Sequence, residues 1–336
     1  MRSVNVGIMR VGAAFFFAVL TAALGACGGK GGGVVPAPTA SPGNTMLTSG
    51  EFGLPHTLAG PTSIALGPDG AMWFTATDGN AIGRITTGGS ISGYPLPSAL
   101  DEPSSIVTGA DGALWFTEYF SNRIGRITTA GAITEYPLPL PFSQPGAIVS
   151  APDGAVWFTQ QIGHAIGRIT TTGAISEFPL AANDHPEAMT LGPDGSPWFT
   201  ASNHIGHISP LGAITEYTVP TANAALFGIT LGSDGALWFT ENTAAKIGRV
   251  TTSGAFSEYP LPSGVTFPWQ IAAGPDGAVW FLAQGYIGRI SMSGVITTWA
   301  TTNVQTNSLN GLTLGADGHM WYTQRSSNEL NWFAVP

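Results

Sequence analysis

The chain has a single cysteine, Cys27, among its 336 residues. Disulfides and thiolate metal sites are therefore excluded from any folded part, which must be held by packing. Charge is almost as scarce, since Asp, Glu, Lys and Arg make up 9% of the chain, the net charge is −9, and Lys and Arg are nowhere clustered. A basic surface able to track a phosphate backbone is absent, which excludes nucleic acid as an expected partner. The apolar run from Val11 to Ala26 is too short for an ordinary membrane span.

What the chain has in quantity is repetition. The pattern Asp-Gly-x-x-Trp-Phe occurs at Asp69, Asp111, Asp153, Asp194, Asp234 and Asp276, and with Tyr at Asp317, at spacings of 42, 42, 41, 40, 42 and 41 residues. A period of that length predicts an all-β, seven-bladed β-propeller with one four-stranded blade per repeat. In the first copy, Pro61 to Leu66 reads as strand A, Gly67 to Gly70 as a turn, Met72 to Thr75 as strand B, Ile82 to Thr86 as strand C and Ile91 to Leu96 as strand D. Trp73 and Phe74 are adjacent in a strand and point to opposite faces, as expected of a blade covered on both sides. Ser49 to Pro55 has the strand-D pattern but precedes the first strand A, and the last repeat stops near strand C. The N-terminal strand is therefore expected to complete the last blade and close the ring, which removes an exposed sheet edge.

Residues 1–26 read as a signal segment: Arg2 and Arg10 flank a short first region, an apolar run follows, and Leu24-Gly25-Ala26-Cys27 ends it. That last tetrad resembles the lipobox of bacterial lipoproteins, which implies cleavage before Cys27 and lipid on its sulfur; an ordinary signal peptide with an incidental cysteine is the alternative. Residues 27–48, rich in Gly, Pro, Ala, Ser and Thr, then form a flexible tether, and residues 49–336 the propeller. The expected location is the bacterial cell envelope, with the protein lipid-anchored at the outer membrane and periplasm or the cell surface. Gly28 stands where an Asp often retains lipoproteins at the inner membrane. The lipid is the expected membrane contact, and with no oligomer signal in view a monomer is expected.

Seven copies of one blade allow charges to be sorted within the chain itself. The turn Asp residues, the strand-D Glu residues (Glu51, Glu135, Glu177, Glu216, Glu258) and the strand-C Arg residues (Arg84, Arg126, Arg168, Arg249, Arg289) recur and read as scaffold. Asp78, Asp101, Glu102, Glu118, Arg123, Asp184, Glu187, Glu241, Lys246, Arg325 and Glu329 do not recur. All fall in B-to-C loops, D-to-A connections or the start of strand A, which share one face of a meander. The unrepeated aromatics Tyr119, Phe120, Phe142, Phe227, Phe267, Trp269 and Tyr286 fall there too. Loops that drift and keep polar residues would explain the charges but not large exposed aromatics.

Strand A should line the channel, so its entries form the mouth. One side of that mouth is polar and acidic (Glu102, Gln144, His185, Glu187), the other aromatic (Phe227, Phe267, Trp269), with Asn310 between them. Polar groups converging beside an apolar wall suit a small-molecule or protein ligand, here one that is polycyclic, sugar-like or partly cationic. Glu102, Glu118, Glu187 and Glu241 could supply oxygens to Mg²⁺ or Ca²⁺, but no metal motif fixes this and the pattern favours solvated or structural carboxylates.

The repeat units Ser233–Glu241, Lys246–Val250 and Ser257–Pro262 resemble those of the streptogramin B lyases, or virginiamycin B lyases, over Ser49 to Pro336. The resemblance implies a seven-bladed propeller and a Mg²⁺-dependent elimination that opens a cyclic depsipeptide antibiotic at its ester. The family's signature, Pro-His-Ala/Gly-Ile at the strand-A entries of the last two blades with a Glu before the final Pro-His, is altered here. Trp269 and Asn310 stand at the two His positions and Ser308 at the Glu position. Proton transfer by those groups is lost. His185 and Glu187, two apart on an extended segment, are the candidate replacements. Three readings follow: recognition without catalysis, a rearranged lyase or hydrolase using a divalent cation, and a scaffold propeller.

Overall fold

The computed structural model describes residues 47–301 and 309–336. These form seven four-stranded antiparallel sheets, each a meander. Blade 1 comprises Pro61–Leu66, Met72–Ala76, Ala81–Ile85 and Ile91–Pro95. The last blade takes Leu309–Leu314, Met320–Gln324 and Glu329–Phe333, and its fourth strand is Ser49–Gly53. That strand pairs antiparallel from Ser49 opposite Phe333 to Gly53 opposite Glu329, so the ring closes as its sequence pattern predicts. The signal segment, Cys27 and most of the tether lie outside the described residues.

Each repeated side chain has one task. Trp73 is fully buried in a cluster with Ile106, Leu114 and Phe116 of blade 2, whereas Phe74 is buried on the opposite face with Trp321 and Leu330 of the last blade. The adjacent aromatics thus glue each blade to both neighbours, and complete burial of one such ring is worth roughly 1.5–3 kcal/mol. The Trp ring stacks on the outer-strand aromatic of its own blade, as in Trp73–Tyr94 at 5.4 Å. In the last blade the closing strand supplies that ring, with Phe52 stacked on Trp321 at 5.7 Å. At the turn, Asp69 accepts from the Trp73 indole (3.0 Å) and from Arg84 (2.6 Å), and these bonds with the guanidinium charge hold its carboxyl below the usual range despite burial. Asp111, Asp234 and Asp276 repeat this arrangement with Arg126, Arg249 and Arg289, so these turn aspartates and strand-C arginines hold the blade together.

A second device appears at the strand-A entries. In six blades the pairing of strands A and B shifts by one residue, with two strand-A residues opposite one of strand B, as between Pro103 and Ile106, which leaves backbone groups without ladder partners. A strand-B threonine fills the gap. Thr117 Oγ1 accepts from Ser105 N (3.0 Å) and donates to Gly146 O of the next blade (2.8 Å). Thr323 does the same from Gly311 N to Thr62 O across the ring closure. Blade 6 departs: Leu282 replaces the threonine, strand A shortens to Ile271–Ala273, and backbone bonds from Trp269 N to Leu282 O and from Leu282 N to Gln270 O take over.

Candidate functional site at the channel mouth

Strands A pack against one another around the ring and so form its inner wall. These one-residue bulges hold Thr62, Ser104, Gly146, Glu187, Phe227 and Asn310, which puts the candidate residues at irregular, re-aimed positions and not within the regular ladder. Two places earlier, Glu102, Gln144, Ala225 and Phe267 share a left-handed backbone with φ of 50 to 52°. Ala225 shares it without a functional side chain, so the strain belongs to the blade entry and not to a ligand site.

The polar wall is an arc across blades 2 to 4. The Tyr119 hydroxyl donates to Gln144 Oε1 at 2.8 Å, and Gln161 Nε2 donates to Glu187 Oε2 at 2.7 Å. In both, a B-to-C loop reaches the strand-A entry of the next blade. Burial pushes the Glu187 carboxyl up to about 7. Glu102 is also raised, by burial and then by Asp78, against the opposing charge of Arg325. Burial, followed by the charges of Glu187 and Glu102, raises the Tyr119 phenol, which ties the three groups into one electrostatic unit. Gln161 was not among the residues singled out from the sequence. A copy-by-copy comparison of the B-to-C loops could have found it as an unrepeated amide.

His185 is exposed. Its Nδ1 lies 3.3 Å from the Gln161 carbonyl, which places the proton on that nitrogen, and its ring meets His164 edge-on at 4.6 Å. His185 and Glu187 thus contact different atoms of Gln161, and no hydrogen bond joins them.

The aromatic wall is built as firmly. Phe227 and Trp269 stack with centroids 4.0 Å apart and planes 20° from parallel. The Trp269 carbonyl accepts from Gly228 N (3.1 Å) and Thr240 Oγ1 (2.9 Å), which locks blade 6 to blade 5. A Cβ on Gly228 would lie 2.9 Å from that oxygen, so only glycine permits the approach. Phe267 is exposed beside the pair, Asn310 is half-buried at its entry, and Ser308 lies outside the described residues.

The four glutamates considered for a cation do not converge. Glu102 and Glu187 belong to the mouth, whereas Glu118 and Glu241 end strands B of blades 2 and 5 with no exposed surface. Among the described residues, the carboxylates that do meet at metal-ligand spacing are Asp101, Glu118 and Glu135. Glu135, read from its recurrence as scaffold, therefore has a further partner set in blade 2.

The model of the virginiamycin B lyase family matches residues 44–202 and 181–334. No curated protein matches. Among solved structures, a streptogramin B lyase is 36% identical with a TM-score of 0.81, covering 87% of this chain and 98% of that one. A selenomethionine-substituted virginiamycin B lyase from Staphylococcus aureus is 35% identical with a TM-score of 0.80, covering 86% and 100%. A catalytically inactive His-to-Ala variant of the Staphylococcus aureus lyase, with quinupristin, is 35% identical with a TM-score of 0.81 over the same shares. Matched by the family model over most of its length and built as the same seven-bladed ring, the chain belongs to the virginiamycin B lyase family.

Proposed function

We propose that the protein binds a peptide-like ligand bearing an aromatic group at the channel mouth, without opening it. The observation that carries this reading is the Phe227–Trp269 stack at the strand-A entries that follow, around the ring, the hydrogen-bonded arc of Tyr119, Gln144, Gln161 and Glu187. The stack offers a flat apolar surface, and the arc offers amides and a carboxyl group for a ligand's polar edge. Two substitutions argue against lysis: an indole and an amide occupy the positions that the family resemblance gives to two imidazoles, and neither transfers protons near neutral pH. The inactive His-to-Ala relative with quinupristin supports the idea that ligand recognition and ring opening are separable in this family. The lipobox-like Leu24–Cys27 adds a lipid anchor in the bacterial envelope, testable by loss of fatty-acid labelling in Cys27→Ser.

The test uses quinupristin as the probe. Titration should change the tryptophan fluorescence of the wild type, Trp269→Ala should weaken binding at least tenfold, and chromatography should show no linear product. Absence of binding would sink the reading and leave a scaffold.

One observation favours a second reading. A carboxyl group poised at about 7, as Glu187 is, can act as general acid or base in a rearranged lyase or hydrolase. Linear product formed by the wild type and abolished in Glu187→Gln would establish it over the first.

A further inference from the structure

Inside blade 2, the carboxylates of Asp101, Glu118 and Glu135 offer oxygens that all lie within 4.8 Å of one another. Asp101 is 1% exposed and Glu118 0%. Ser121 Oγ donates to Glu118 Oε2 at 2.9 Å. Arg123 Nη1 donates to Glu135 Oε2 at 3.0 Å and lies 3.7 Å from Asp101 Oδ1. Both oxygens of Asp101, Oε1 of Glu118 and Oε1 of Glu135 are buried without a hydrogen-bond donor. Buried acceptors are normally paired. Here three carboxyl groups against one guanidinium leave unpaired oxygens gathered in one place.

The corresponding positions of other blades show what the protein does when it satisfies this pocket itself. In blade 3 they are Ser143, Gln160 and Glu177, and Gln160 Nε2 donates to Ser143 Oγ (3.0 Å) and Glu177 Oε1 (2.7 Å). Blade 5 does so only in part: Ala224 replaces the aspartate and Lys246 Nζ sits 2.7 Å from Glu258, while both oxygens of Glu241 stay without a donor. Among the described residues, blade 2 alone gathers three carboxylates there.

We infer that Asp101, Glu118 and Glu135 form a binding site for one divalent cation, and that it selects Ca²⁺. Ca²⁺–oxygen distances of about 2.3–2.6 Å put two ligand oxygens at most about 5 Å apart, which the cluster meets. The donor set is all oxygen, and two of the three carboxyl groups are buried, which disfavours Mg²⁺ because it keeps several waters. Ser121 and Arg123 each hold one oxygen of a ligand and leave the other turned to the ion, as outer-shell partners do. The ion would join three segments of the blade, one of which runs directly into Glu102 at the mouth. Its effect on the mouth would be to fix that entry in place.

The experiment is isothermal titration of the EDTA-treated full chain with CaCl₂ and with MgCl₂, alongside thermal melting in each. The expected result is one Ca²⁺ per chain with a dissociation constant of about 10⁻⁴ M or tighter, a higher Tm in Ca²⁺, and a weaker response to Mg²⁺. Asp101→Asn and Glu118→Gln should abolish binding while Glu187→Gln retains it. Should either variant fail to fold, Glu135→Gln reports the same loss. No Ca²⁺ binding at about 10 mM overturns the assignment, and a gain in Tm by Asp101→Asn with it would put a shared proton in the pocket instead. Binding kept in Asp101→Asn but lost in Glu187→Gln also overturns it, since the cation would then lie at the mouth.

Discussion

Glu241 shows how a single group can set the pH dependence of a blade. It has no exposed surface, Lys246 is committed to Glu258 at 2.7 Å, and burial followed by the charge of Glu258 pushes its carboxyl from 4.5 up to about 7. A raised folded-state value means that the fold prefers the protonated form. The stability tied to that form is complete below about pH 4.5 and is lost as pH rises through about 7. Urea midpoints of wild type and Glu241→Gln should therefore lie close together at pH 4.5. They should separate by pH 8, with the wild type less stable by about 1–3 kcal/mol relative to the variant. Curves that stay parallel across that range would show that Glu241 is relieved in some other way.

At the scale of the element, the threonine that joins one blade to the next makes a direct prediction. Thr117 Oγ1 serves a backbone donor and a backbone acceptor at a buried junction, so Thr117→Val keeps the volume and strands both. The expected loss is about 1–3 kcal/mol by chemical denaturation, with the native circular dichroism retained. Blade 6 shows how the chain manages without this side chain, since Leu282 is accompanied by a rebuilt backbone around Trp269. The difference between Trp-Phe-Thr and Trp-Phe-Leu is plain in the sequence, but its meaning is not, because the threonine's partner carbonyl lies in another blade. The same limit explains what was legible at the mouth. Trp269, Phe227, Glu187 and Gln144 stand out because they break a repeat, whereas the Gln161–Glu187 bond depends on which loop reaches which entry. Glu135 was sorted with the scaffold because it recurs. Its role in blade 2 depends on Asp101 and Glu118, which do not recur.

At the scale of the whole molecule, the ring was the readable part, since seven copies spaced 40 to 42 residues apart and a stray outer-strand pattern at Ser49–Pro55 define both its size and its closure. The closure rests on few groups. Phe52 stacks on Trp321, and Ser49–Gly53 pairs along its length with Glu329–Phe333. Phe52→Ala should cost about 3 kcal/mol and make the protein prone to aggregation, by freeing the strand that shields the last sheet edge. Size-exclusion chromatography of the variant after mild heating checks it, and an unchanged monomer-to-aggregate ratio would contradict the expectation. The pairing of Ser49–Gly53 with Glu329–Phe333 also imposes an order on synthesis. The first strand of the propeller to leave the ribosome cannot find its partner until nearly the last residue has followed. Blades 1 to 6 can form as they emerge, but the circle waits until Glu329–Phe333 has followed.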